Sequence, residues 1–190
     1  IELKNLPPLT SHQDNFDHGF LKISPFQFFA ERVKILRINN NPKSPQCDAG
    51  LSGVMAYVHD SFSNVMHVCP FAAKFSQLQM HGTLVHEARH LLQRKEYGSE
   101  KEDYKKIHGE SNQAYAHTPC KMGFFINSYS CDKSSEKEGS YTIEMEFYLK
   151  LSRTSSISQS VREQARSYAM DGYLGHFNHI PGGDMVILLQ

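Results

Sequence analysis

The chain has 190 residues, enough for one domain with a sizeable core and short for two. Its 39% hydrophobic and 21% charged residues are those of an ordinary globular protein. Twenty basic residues balance twenty acidic ones, so no global field recruits nucleic acid or an anionic membrane, and no apolar run is long enough to span a bilayer.

The chain opens at Ile1 without an initiator Met or a signal-like apolar stretch, which reads as a processed chain whose targeting segment is missing. "NLPPLTSHQDNFDHG" reads as an extended arm. "SPFQFFAERVKILRI" predicts a helix capped by Ser24 with Pro25 at its first position, running into a strand over Val33 to Ile38. After the loop "NNNPKSPQCDAGLSG", "VMAYVHD" and "NVMHVCP" read as two short strands joined by "SFS", with Pro70 closing the second.

From Phe71 the period changes. Leu78, Val85 and Leu92 fall on one helical stripe, widened by Leu84, Ala88 and Leu91, and Gly82 weakens that helix only locally. A charged stretch, "RKEYGSEKEDYKKIHGESN", follows. "SYTIEMEFYLKLS" predicts a helix from Ser140, and a capping box at Ser160 and Glu163 predicts another over "VREQARSYAMDGYL". "DMVILLQ" reads as a terminal strand. No linker divides the chain, so a single domain over residues 1–190 is expected.

Four cysteines, none in a CxxC pair, suit two disulfides better than a zinc cluster, and disulfides imply an oxidising compartment. Of the three connectivities, Cys47–Cys69 with Cys120–Cys131 is favoured, because the last two flank one short loop-like segment.

The chemistry is concentrated in "TLVHEARHLLQ". Side chains four apart on a helix lie above one another, so His86 and His90 can present both imidazoles to one zinc ion. Zinc lowers the pKa of a bound water, and Glu87, one position on, can take its proton as it attacks a carbonyl. Two histidines on a solvated or core helix would give the same spacing by accident, but the apolar stripe and the preceding strand favour metal.

"MHVCPFAAKFSQLQMHGTLVHEARH" resembles the HExxH zinc metallopeptidases called zincins, and more narrowly the deuterolysin-like peptidases. The likeness covers about residues 54 to 93, and HExxH is its one specific element. It implies an α+β fold in which a small mixed sheet has an edge strand, "NVMHVCP", above the HExxH helix, with a mainly helical C-terminal part. It implies Zn2+-dependent endopeptidase cleavage of a peptide or protein substrate laid along that edge as an added strand.

The third ligand departs from the deuterolysin pattern, whose GTxDxxYG motif is absent; Asp103 is a weak candidate there. No third histidine of the metzincin kind follows "HEARH". A gluzincin-like Glu from the later helix remains. Tyr141, Glu144, Tyr148 and Leu151 share a face, where a carboxylate is costly unless it binds metal or a tyrosine holds it. Glu144 is therefore preferred to Glu146, for which a surface salt bridge with Lys150 or Arg153 suffices.

Tyr141 and Tyr148 are candidate hydrogen-bond donors to the oxyanion, though core packing explains either. His81, Asp171, His176 and His179 are weaker candidates for supporting roles. The expectation is a monomeric, secreted or periplasmic zinc endopeptidase with His86, His90 and Glu144 as ligands and Glu87 as general base. Its rivals are a zinc amidase acting on a cell-wall or other non-protein amide, and a non-catalytic toxin or binding module with structural zinc.

Overall fold

The structure, a computed structural model, describes residues 21–41, 44, 46, 47, 54–59, 63–91, 117–121, 131, 132 and 139–178. It is α+β, with a small mixed sheet and four helices among the described residues. Two compact units divide these residues, the first holding 26–91 and the second 21–25 and 117–178. The expected N-terminal arm, the charged stretch after Leu91 and the terminal strand lie outside the described residues.

Pro25 opens α1 (Pro25–Arg32), as its fixed φ and missing N–H favour. Arg32 is buried, its guanidinium 3.8 Å above the Phe28 ring. Strand β1 (Ile35–Ile38) follows, then β2 (Ala56–Tyr57) and β3 (Val65–Val68). Asn64 enters β3 with φ at 53°, a left-handed conformation asparagine tolerates. Its carbonyl accepts from Lys34 N and Ile35 N, and its side chain donates to the Arg32 carbonyl at 2.9 Å. One residue thus ties the α1–β1 junction to the start of β3.

The sheet order is β1-β3-β2, with β1 parallel and β2 antiparallel to β3. "NVMHVCP" is therefore the central strand, and the expectation that it forms the edge is corrected. Alternation of apolar residues fixes which face a strand buries, but not its neighbours, and the parallel pairing Ile35↔Val65 leaves no local trace. Among the described residues the edges are β1 and β2. One face carries Met66, Ala56 and Val58, all buried; the other carries Arg37, His67 and Tyr57 in register.

The disulfide Cys47–Cys69 fastens the loop before β2 to the end of β3, where a 3-10 turn (Pro70–Lys74) begins. Helix α2 (Gln77–Arg89) starts at Ser76 with a capping box: Ser76 Oγ accepts from Gln79 N, and Gln79 Oε1 accepts from Ser76 N. Leu78, Val85 and Ala88 are buried, as their spacing predicts, and α2 packs beside β2.

In the second unit, α3 (Ser140–Arg153) packs on α4 (Gln159–Gly175). Gly172 allows the close approach: a Cβ there would fall 2.1 Å from Met145 Sδ. The cap of α4 is Ser158, not Ser160, and its side chain makes no cap hydrogen bond, so the predicted capping box does not form. Asp171 is exposed within α4, which runs on to Gly175. A second disulfide, Cys120–Cys131, anchors residues 117–121 and 131–132 against the end of α4 through the bridges Thr118↔Cys131 and Asp132↔Phe177. Both disulfides follow the expected pairing and suit an oxidising environment. No helix among the described residues is long and apolar enough to cross a membrane.

Candidate metal centre

Helix α2 brings His86 and His90 together as the four-residue spacing requires. Their ring centroids lie 5.2 Å apart at an interplanar angle of 69°. The helix ends at Arg89, yet His90, its C-cap, keeps helical backbone angles and donates its N–H to the Glu87 carbonyl at 3.1 Å. The face carrying both rings is therefore unbroken. Both rings are nearly buried, at 6% and 3% exposed, and Arg89 is buried in the same turn. Glu87 is half-buried.

A third imidazole joins them. His86, His90 and His117 each offer one ring nitrogen, and these atoms lie within 4.8 Å of one another. Three neutral imidazoles could hold a metal ion and suit zinc, copper or nickel better than calcium or magnesium, which prefer oxygen ligands. The donor set fits a metal without naming which.

The sequence reading missed His117. "AYAHTPC" has no periodicity, and eleven histidines make any single one inconspicuous. The usable signal was Cys120, three residues on, whose disulfide fixes this segment.

The surroundings of His117 are built by Asp132. His117 Nδ1 lies 3.3 Å from Asp132 Oδ1, the placement in which the ring N–H donates to the carboxylate and the other ring nitrogen is left to ligate. Asp132 Oδ2 accepts from Tyr141 N and Thr142 N at 2.9 and 3.2 Å, capping α3. The N-cap residue itself is Gly139, which has no side chain to do this, and a Cβ there would sit 2.2 Å from Asp132 Oδ2. Asp132 N donates to the His176 carbonyl, and Asn178 N donates to the Asp132 carbonyl. The buried carboxylate is thus held from several sides while it faces His117.

Helix α3 keeps Glu144 beside Tyr148, as their shared face requires, and places Glu146 differently from expectation. Burial pushes Glu144 up to about 7, against the lowering influence of His176, a hydrogen bond from Tyr148 and His117. The Tyr148 hydroxyl donates to the carboxyl, one of the two arrangements that the sequence allows for an acid in that stripe. The same burial, with Glu144 beside it, raises the Tyr148 phenol above its ordinary value. Glu146 is not on the surface: it is 1% exposed and accepts the Leu21 N–H at 2.7 Å, while Lys150 Nζ donates to the Leu21 carbonyl at 2.6 Å. The predicted surface salt bridge assumed that face was solvated; Glu146 is instead buried, with the Leu21 backbone against it.

Tyr141 stacks on His176, with centroids 4.0 Å apart at 7°, and its ring lies 4.8 Å from that of His117. His81 is half-buried; burial pushes its pKa down, and its Nδ1 has no hydrogen-bond partner among the described residues. Asp103 and His179 lie outside the described residues. Compared with known proteins, the chain matches no family model, no curated protein and no solved structure.

Proposed function

We propose that this chain is a zinc-dependent hydrolase of peptide bonds, acting as an endopeptidase in secreted or periplasmic surroundings. The observation that carries the reading is the group of three imidazoles, His86, His90 and His117, with Glu87 following His86 in the sequence of the same helix. A purely structural site has no need of a carboxylate beside its ligands.

On this reading the three imidazoles hold the ion, and Asp132 fixes the tautomer of His117. Zinc, when bound, supplies Lewis acidity to the carbonyl and to the attacking water. The Glu87 carboxylate accepts the proton of that water as it attacks and delivers it to the leaving amine nitrogen. Tyr141, held by stacking on His176, remains the better oxyanion donor of the two tyrosines, since the Tyr148 hydroxyl is engaged by Glu144. Because β3 is paired on both sides, an extended substrate cannot add to it; the outer edge of β2, beside α2, takes that role.

The test is metal analysis of purified protein together with casein cleavage, with and without chelator. Glu87→Gln should keep zinc and fold while lowering turnover by about 100-fold or more. Substantial turnover by that variant removes the general base. Turnover of a cell-wall amide without protein cleavage moves the reading to an amidase, and zinc without either activity moves it to a structural site.

A further inference from the structure

The sheet face opposite Met66 and Ala56 carries a second group of imidazoles. Cross-strand register sets Arg37, His67 and Tyr57 side by side, and the chain leaving β2 places His59 next to them. The His59 and His67 ring centroids are 5.6 Å apart at 79°. That is close to the 5.2 Å and 69° of the His86–His90 pair. Two imidazoles sharing one ion through metal–nitrogen bonds of about 2.0–2.1 Å hold their centroids roughly 5 Å apart.

We propose that His59 and His67 form a second metal site, binding one borderline transition-metal ion such as Zn2+ at the sheet surface with water completing its coordination. Tyr57 lies flat against His67, centroids 4.7 Å apart at 5°, and sits edge-on to His59 at 4.9 Å, so packing fixes the ring planes before any ion arrives. His67 is half-buried and His59 exposed, which leaves an approach from solvent. Arg37 stands opposite His67, so an ion held here must bind the nitrogen lone pairs strongly enough to offset the guanidinium's repulsion, as a borderline transition metal does and a hard cation does not. No carboxylate, cysteine or third histidine joins the pair among the described residues, so water must supply the rest.

This site is independent of the proposed function. Zn2+ bound at equilibrium dialysis of chelator-stripped chain should be two ions in the native protein and one in His59→Ala/His67→Ala. It should also be one in His86→Ala/His90→Ala, with circular dichroism confirming each fold. If that last variant does not fold, the native protein against the sheet variant still decides. An unchanged stoichiometry in His59→Ala/His67→Ala overturns the second site. A single ion that is lost in this variant upholds the second site and overturns the zinc-peptidase reading instead.

Discussion

Helices α2 and α3 both bury polar side chains, and they do so in opposite ways. Helix α2 carries its own cap in Ser76 and Gln79, and its buried His86 and His90 converge on each other. Helix α3 begins on Gly139, borrows its cap from Asp132, and holds half-buried Glu144 and buried Glu146 against separate partners, Tyr148 and the Leu21 N–H. Polar groups that meet one another point to a ligand; polar groups that each meet a protein donor point to structure.

The largest test of that contrast is metal occupancy. His86→Ala and His90→Ala should abolish zinc binding at this centre, and His117→Ala should lower it severely. Glu144→Ala should leave occupancy near native, because Tyr148 already accounts for the carboxyl. Atomic absorption after dialysis measures all four. Loss of zinc in Glu144→Ala with retention in His117→Ala would restore the gluzincin-like ligand set and collapse the distinction between the helices.

The pH dependence of stability sharpens the α3 side. Burial raises Glu144 from 4.5 to about 7, so the folded protein keeps a proton that the unfolded chain releases. The contribution is full below the unfolded value and is lost as pH rises through about 7, by up to about 3 kcal/mol. Urea denaturation of metal-free protein from acid to neutral pH should therefore show native stability falling relative to Glu144→Gln. A constant difference across that range would mean that the Glu144 carboxyl titrates in the folded protein as it does in the unfolded chain.

Gly139→Ala probes the borrowed cap. The new methyl would occupy the space of a carboxylate that two helix N–H groups and His117 hold in place, so Asp132 cannot yield without losing them. A destabilisation of about 1–3 kcal/mol is expected, with weaker zinc binding through His117. Native stability and occupancy in this variant would show that Asp132 is free to move.

What the sequence revealed follows the same division. The helical pairing of His86 with His90, the Ser140 start of α3, the α1–β1 passage and both disulfides are local or compositional features, and they read correctly. The central position of β3, the burial of Glu146 under Leu21 and the convergence of His117 depend on residues far apart in the chain. No period records them. Asp132 is the clearest case: it lies in a stretch that reads as a polar loop, yet it caps a helix and faces a candidate ligand.

Ser76→Ala should give the smallest effect and isolates the local cap. It deletes the Oγ that accepts Gln79 N, and with it the hydrogen bond of that hydroxyl to Gln79 Oε1. Helix α2 would then begin with one more unsatisfied N–H, at a cost of about 1 kcal/mol. His86 and His90 lie at the far end of the helix, where packing of Val85, Ala88 and Leu91 holds the backbone. Zinc stoichiometry should be unchanged. Asp132→Ala removes a cap of the same chemical kind, but should cost more and weaken metal binding too, because that carboxylate also faces His117. Thermal unfolding and metal analysis of the two variants side by side measure the difference. Equal losses in both would mean that the borrowed cap of α3 does nothing for His117.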